Sequence, residues 1–390
     1  MVRALAFALA PFAVATLVGL VWLWPRAEPA ASLIGPPGRA LRATVVAVQE
    51  IACPELQGQG EFRCARATAR LDEGPDAGLE VTFELAEGPT TRRLRAGDGI
   101  LLTRASEGPP ELAYAFMDYQ RARPLLLLGV LFAAVVIALS RRRGLAALAG
   151  LALSLAVLIF FVLPAILAGE PPLAVAVVGA AVIMFAAIYL AHGFNVRSST
   201  AILGTLISLL LTGILALIFV EAARFTGFGS EEAVFLQVSA SQINLTGLLL
   251  GGIVIGSLGV LDDVTVTQAS AVWELHRANP KLGARGLYAA AIRIGRDHIA
   301  STVNTLVLAY AGAALPLMIV FTLSNQRLST VLTSEVVAEE IVRTLVGSIG
   351  LVASVPITTG LAALVVSYDS ERSGDDYQPP RAERDWRVEI

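Results

Sequence analysis

Residues 245–275 read LTGLLLGGIVIGSLGVLDDVTVTQASAVWEL, an apolar and glycine-rich run that changes abruptly into a polar segment. The polar side chains that follow the apolar run are Asp262, Asp263, Thr265, Thr267 and Gln268. In a soluble protein this change predicts an ordinary helix start. In a membrane protein, charged groups at the depth of a span are costly, and they indicate a functional site.

The amino-acid composition is typical of a membrane protein. Hydrophobic residues make up 55% of the chain, charged residues only 16%, and the mean hydropathy is +0.69. Soluble domains carry about 25% charged residues, so these values predict an integral membrane protein. The formal net charge of −3 gives no indication of a nucleic-acid partner, and we expect none.

Eight stretches are apolar and long enough to cross a bilayer, for which about 20 residues are needed. They lie at about 4–24, 124–140, 144–168, 172–191, 200–220, 244–262, 299–321 and 344–366. Backbone polar groups in lipid must be satisfied within their own segment, so each stretch is expected to be a helix. We therefore predict an all-α polytopic membrane protein of about eight transmembrane helices, with a small β-rich extracytoplasmic domain.

The positions of the basic residues predict the orientation. With the N-terminus in the cytoplasm and eight crossings, 14 of the 29 basic residues fall in cytoplasmic segments, Arg141, Arg142 and Arg143 among them. The short outer loops hold three, and the remaining 12 lie in the large segment before the second span, where the rule does not apply. We expect a bacterial plasma-membrane protein with both termini in the cytoplasm.

Four parts of the chain follow from this topology. Residues 1–25 are predicted to be a transmembrane anchor, with a cleaved signal peptide as the alternative. Residues 26–122 form the outer domain, residues 123–367 a seven-helix membrane domain, and residues 368–390 a charged cytoplasmic tail that is expected to be disordered.

The outer segment contains strand-like alternation separated by turns that hold Gly or Pro. Its pattern predicts a small β-barrel or β-sandwich. Cys53 and Cys64, the chain's 2 cysteines, both lie here. In an oxidising compartment they are expected to form a disulfide, whereas two buried free thiols would fit a cytoplasmic location.

The sixth and seventh spans both carry polar residues at their cytoplasmic ends. In the seventh span these are Asp297, Ser301, Asn304 and Thr305. Clustered carboxylate, hydroxyl and amide oxygens suit a hard cation or a proton relay. The sequence therefore predicts an ion- or ligand-binding site between the two helices, with the identity of any metal left open.

Other interpretations of this segment stay open. Asp262 and Asp263 could be hydrated at the inner interface, cap the next helix and pair with Arg293 or Arg296. The five glycines of the sixth span could serve helix packing, with the pairs Gly247/Gly251 and Gly252/Gly256 at the spacing for close contact. The chain has no nucleophile elbow, phosphate loop or dinucleotide fingerprint, so we expect neither an enzyme nor a cofactor.

Four segments resemble the YibE/F-like family of membrane proteins. They are GVLDDVTVTQASAVWEL, IGRDHIASTVNTLVLAYAGAALP, HGFNVRSSTAILGTLISL and DYQRARPLLLL. The resemblance covers about residues 115–367. It implies a bacterial multi-pass plasma-membrane protein of a family often described as transporters, without an established substrate.

The sequence thus predicts a membrane transporter or permease for a small ion or solute, gradient-driven or dependent on a partner because no ATP motif exists. The alternative is a non-transporting scaffold or sensor whose outer domain binds an envelope component. The expected partners are the lipid bilayer, a small ion or solute, and a second copy of the chain or an envelope protein.

Overall fold

The structure is a computed structural model that describes residues 2–26, 40–51, 63–74, 76–87, 92–104, 113–323 and 326–373. It is mostly helical, with one small antiparallel sheet. The chain divides into two compact units, one formed by residues 1–30 together with 142–390 and the other by residues 31–141.

The sheet of the second unit has five strands in the order β3-β2-β1-β4-β5, and each neighbouring pair is antiparallel. The strands are β1 Leu41–Ile51, β2 Arg63–Leu71, β3 Glu80–Glu87, β4 Gly99–Arg104 and β5 Tyr114–Tyr119. Alternate residues of each strand face one side, because successive side chains point to opposite faces. The predicted β-rich domain is therefore present.

This sheet curls into a half-barrel around a single apolar core. Phe83 of β3 stacks on Phe116 of β5 with ring centroids 6.2 Å apart, although these strands lie at opposite edges of the sheet. The register shifts between Val45 and Ala47 and between Leu101 and Leu102, and such bulges increase local twist and bend a strand. The core residues are Leu41, Ala43, Val45, Ala67, Ala69, Leu71, Val81, Phe83, Leu94, Ile100, Leu102, Ala113 and Tyr114.

One half of the predicted disulfide lies in this sheet. Cys64 is in β2 and is disulfide-bonded. Cys53 lies outside the described residues, so its pairing with Cys64 stays a prediction.

The helices are α1 Val2–Trp22, α2 Ala122–Val157, α3 Leu163–Leu167, α4 Pro172–His192, α5 Val196–Ala222, α6 Glu231–Ser239, α7 Leu245–Ala278, α8 Ala284–Ala313, α9 Leu315–Leu323, α10 Leu328–Leu332 and α11 Glu335–Ser373. A π-helical turn, Leu158–Val162, joins α2 to α3. It accommodates Pro164, which cannot donate a backbone hydrogen bond within the helix.

The backbone of α2 breaks at Arg141, where φ is 49° and ψ is −123°. This left-handed value is costly for a residue with a Cβ, so the helix does not run straight through the arginine cluster. The break lies between the second and third predicted spans. It also coincides with the boundary between the two units, whereas the sequence predicted a domain boundary near residue 122.

Six helical segments among the described residues are long and apolar enough to cross a membrane, or seven if α8 and α9 together form one span. Residues 122–167 count as one segment in this tally, and they contain two of the eight predicted spans. The structure thus supports a multi-pass membrane protein.

The helix that contains the seventh predicted span is bent near its end and begins earlier than predicted. The axes of α8 and α9 differ by 58°, and Pro316 lies just beyond the break, at the second residue of α9. Helix α8 begins at Ala284, well before the predicted start of the seventh span, and continues into that span without interruption.

Candidate functional site

Helix α7, which contains the sixth predicted span, is the central helix of the bundle. Its apolar residues contribute to five buried clusters that involve α1, α4, α5, α8 and α11. Its N-terminus is capped by Asn244, whose side-chain oxygen accepts a hydrogen bond from the backbone N–H of Gly247 at 2.8 Å. A polar residue on a buried face of α7 therefore lies among neighbouring helices.

Asp262 and Asp263 lie in the interior of α7. The helix runs from Leu245 to Ala278 without a break, and it contains no proline. No helix begins at these aspartates, so the interpretation that they cap a following helix is wrong. The expected pairing with arginine is also not formed, because none of the ion pairs among the described residues joins Asp262 or Asp263 to Arg293 or Arg296.

The two aspartates have different surroundings. Asp263 is exposed on the surface of the unit, whereas Asp262 is half-buried. Asp262 lies one turn after Leu258 and one turn before Val266, and both of these residues pack in the apolar cluster that α7 forms with α4 and α5. Its Oδ1 is buried and has no hydrogen-bond partner. Of the two carboxylates, only Asp262 points an unsatisfied oxygen into the bundle.

Next to Asp262, α7 meets α5 through two buried hydroxyls. The Oγ1 atoms of Thr205 and Thr265 are 2.6 Å apart, and both side chains are fully buried. Thr265 Oγ1 also lies 3.1 Å from the carbonyl oxygen of Asp262, and Thr205 Oγ1 lies 3.0 Å from that of Ala201. Each hydroxyl has one hydrogen, so the pair can adopt either of two directions of donation.

One turn further along, α7 meets α11 through Gln268. Thr359 Oγ1 donates a hydrogen bond of 2.9 Å to Gln268 Oε1, and both residues are fully buried. The other half of the amide, Gln268 Nε2, is buried without a partner. A Cβ on Gly295 of α8 would lie 2.9 Å from this nitrogen, so α8 closes the site only because position 295 has no side chain.

The third contact of this junction joins α5 to α11. Thr358 is fully buried, and its Oγ1 has no hydrogen-bond partner. It fits against the backbone of Gly204, where a Cβ would collide with the hydroxyl. Helices α5, α7 and α11 therefore meet in a polar junction, defined here as Gly204, Thr205, Thr265, Gln268, Thr358 and Thr359.

The residues of α5 and α11 in this junction were not among the sequence candidates. The signal was present, because Thr205, Ser208 and Thr212 recur at helical spacing within an apolar span and all three are buried. Thr358 and Thr359 likewise follow Pro356 within the last span. Without the fold, hydroxyl residues that return their hydrogen bond to the preceding helical turn, as Ser208 and Thr212 do, look the same as residues that reach across helices.

The polar residues of α8 are not joined to those of α7. Asp297, Ser301, Asn304 and Thr305 are all exposed. Thr305 Oγ1 donates to the carbonyl oxygen of Ser301 on its own helix at 3.0 Å. Thr267 of α7 is exposed as well. None of the hydrogen bonds among the described residues connects the two sets.

The glycines of α7 divide into two groups. Gly251 packs against α4, where a Cβ would lie 3.0 Å from Ala176 Cβ, and Gly247 approaches Pro172. At Gly252 and Gly256 a Cβ would meet only the ends of side chains at 3.8–3.9 Å, and at Gly259 it would meet nothing within 4 Å. Close helix packing thus explains Gly247 and Gly251 and leaves the other three unexplained.

A multi-carboxylate metal centre is not formed in the part of the chain that the structure describes. There, no group of three or more His, Cys, Asp or Glu side chains is close enough to hold a metal ion. The oxygen atoms of the polar junction come from hydroxyls and a carboxamide, and the carboxylate of Asp262 lies three residues before Thr265 on α7. Such a set carries little charge, so it suits a monovalent cation, a proton or a small polar solute better than a divalent metal.

A comparison with protein families matches residues 128–368 to the YibE/F-like protein family. No curated protein and no solved structure matches the chain. The matched region includes α4 to α10, most of α2 and the greater part of α11, and so contains every residue of the polar junction. The chain belongs to the YibE/F-like family.

Proposed function

We propose that this YibE/F-like protein is a membrane transporter or permease for a small ion or solute. Its binding site lies beside Asp262, midway along α7. The observation that carries the proposal is the buried, unpartnered Oδ1 of Asp262, next to a junction that holds two more unpartnered polar atoms, Gln268 Nε2 and Thr358 Oγ1.

Buried polar atoms without a hydrogen-bond partner lower the stability of the folded protein. A buried polar group without a partner costs about 1–3 kcal/mol, and more if it is charged. Three such atoms in one bundle, two on α7 and one on α11, would be a considerable cost for a purely structural role. A ligand that binds them removes that cost while it is bound, and charged groups within membrane spans commonly mark ion and substrate pathways.

The position of the polar junction also favours the movement of a small ion or solute through the bundle. Its residues come from three different helices, and polar side-chain contacts join α7 to α5 and α7 to α11 there. In the direction of the N-terminus of α7, three more buried hydroxyls lie among the same helices, those of Ser208, Thr212 and Ser257. A small ion would meet oxygen atoms at successive depths, which lowers the barrier that a hydrocarbon interior imposes.

The membrane arrangement that we propose has eight crossings, both termini in the cytoplasm, and residues 26–122 outside. It rests on the basic residues, 14 of which then lie in cytoplasmic segments against three in the short outer loops. In this arrangement Asp262 and the polar junction lie in the cytoplasmic half of the bundle.

A ligand screen tests the site. The purified full chain would be heated in Na⁺, K⁺, Mg²⁺ and inorganic phosphate, with choline chloride as the ionic-strength control. We expect one probe to raise the apparent Tm, the Asp262→Asn variant to lose the rise, and Asp263→Asn to keep it, because Asp263 is exposed. A rise that persists in Asp262→Asn, or one lost equally in both variants, would exclude the site.

The second candidate is a scaffold or sensor whose outer domain binds an envelope component. It is favoured by the sheet unit, which has its own core and exposes the apolar side chains Val46, Leu79 and Met117. If this function is the main one, deletion of residues 40–110 abolishes the cellular function while Asp262→Asn preserves it. The transport proposal expects the opposite sensitivity at Asp262.

A further inference from the structure

Helix α8 has two different faces. Ile292, Ile299, Val303 and Leu306 pack on the apolar cluster formed by Val264 of α7 with Leu351 and Val355 of α11. The opposite face carries Arg293, Asp297, Ala300 and Asn304, all of them exposed. We call these four residues the α8 stripe. It points away from the helices that α8 packs against, because its members are roughly a third to a half of a turn from Ile299 and Leu306.

The stripe is costly if it faces lipid. Asn304 lies inside the seventh predicted span, and its carboxamide makes no hydrogen bond to any described residue. An amide in hydrocarbon without a partner is strongly unfavourable, and polar side chains within spans are normally found facing protein or a water-filled cavity. No described residue of the helical unit covers this amide, so a surface from outside that unit is needed to cover it.

We propose that a second copy of this chain covers the α8 stripe, so that two α8 helices pack side by side around a two-fold axis normal to the membrane. Two copies inserted with the same orientation bring identical residues to the same depth. The carboxamide of Asn304 is both a donor and an acceptor, and it can therefore pair with the Asn304 of a second copy. A single Asn at a helix–helix seam has this role in coiled coils, where it fixes register and partner number.

The spacing and chemistry of the stripe fit such a pair. Its residues follow at intervals of four, three and four, the heptad spacing of a parallel two-helix seam. Ala300 is small enough to let the helices approach, as interfaces between membrane helices require. Arg293 and Asp297 carry opposite charges one turn apart at the cytoplasmic end, so the long Arg293 side chain of one copy can reach Asp297 of the second copy diagonally across the seam. Ser301 and Thr305 flank the stripe and would become covered with it.

Disulfide cross-linking tests the contact directly. The full chain with Asn304→Cys, in its native membranes, is oxidised and compared with Leu210→Cys, which lies on the exposed face of α5 in the same unit. We expect Asn304→Cys to give a product of twice the chain mass, at least about tenfold faster than Leu210→Cys, because a two-fold contact holds the thiols together. A cross-link to a protein of another mass, or equal rates for both variants, overturns the proposal.

The oligomeric state of the purified chain in lipid nanodiscs gives a second readout. We expect wild type to be dimeric and Asn304→Leu to dimerise about 3–30-fold more weakly, the range expected for one interhelical polar contact. Asn304→Gln keeps a donor and an acceptor and should restore much of the dimer, which separates loss of the contact from misfolding. A monomeric wild type, or a dimer as stable in Asn304→Leu as in wild type, contradicts the inference.

Discussion

At the scale of single residues, the proposed site is distinguished by which polar atoms lack a hydrogen-bond partner. Asp262 and Asp263 are neighbours with the same chemistry, yet only Asp262 directs an unpartnered oxygen into the bundle. The sequence could identify both carboxylates and their polar neighbours, because charges at the end of an apolar run stand out. It could not distinguish the two aspartates, because their difference depends on which face of α7 packs against α4 and α5.

The hydroxyl pair of Thr205 and Thr265 provides a prediction at this scale. Thr205→Val removes one partner of a buried 2.6 Å contact at nearly constant volume, so it should destabilise the bundle by about 0.5–1.5 kcal/mol. The double variant Thr205→Val/Thr265→Val replaces both partners and should recover part of that loss. A double-mutant cycle on the thermal unfolding of the detergent-purified protein measures the coupling. Additive effects of the two substitutions would show that the hydroxyls do not interact.

At the scale of the elements, glycines decide how closely the helices pack. The sequence pointed to the glycines of α7 because of their number and spacing. Around the polar junction, the closest approaches occur instead at Gly204 of α5, within the junction, and at Gly295 of α8, which packs against its Gln268. Single glycines in long apolar helices carry no pattern, and only the packing of α5 and α8 against α7 and α11 distinguishes them.

Two alanine substitutions on α5 test this packing. Gly204→Ala forces a methyl group against Thr358 and should destabilise by about 1–3 kcal/mol. Gly213→Ala, on the same helix, meets nothing within 4 Å and should be neutral or stabilise by about 0.4–1 kcal/mol. The apparent Tm of the two purified variants gives the comparison. If Thr358→Ala fails to improve Gly204→Ala, the collision assigned to Thr358 is not the cause.

At the scale of the whole molecule, the chain combines a β unit with a helical bundle. The apolar stretches of the sequence were sufficient to predict long apolar helices, and the alternation of residues was sufficient to predict a β-rich segment. The curl of the sheet into a half-barrel was not predictable, because it depends on bulges and on contacts such as Phe83 with Phe116. The two units divide near residue 141, at the backbone break in α2, whereas the predicted domain boundary near residue 122 lies at the start of that helix.

The sheet unit should fold by itself. Residues 31–121, produced in an oxidising compartment, have their own apolar core and are expected to give a β-type circular dichroism spectrum and one cooperative thermal transition. A broad, non-cooperative melt would mean that the unit needs the helices.

The orientation is testable by labelling. Arg142→Cys should react with a membrane-impermeant thiol reagent only when the cytoplasmic side is open, whereas Arg327→Cys should react in intact cells. A fragment lacking residues 40–110 removes Cys53 and Cys64 and serves as the background for both variants. Reaction of both thiols from the same side would overturn the eight-crossing arrangement.

Flux through proteoliposomes tests directly whether the protein carries an ion or solute across a membrane. With the ion or solute that stabilises the purified chain on one side of the vesicle, the wild-type protein should carry it across at a rate above that of empty vesicles. Asp262→Asn should lower that rate by at least about tenfold, equivalent to about 1.4 kcal/mol, and Asp263→Asn should leave it within about twofold. Equal flux from wild type and Asp262→Asn would contradict the account.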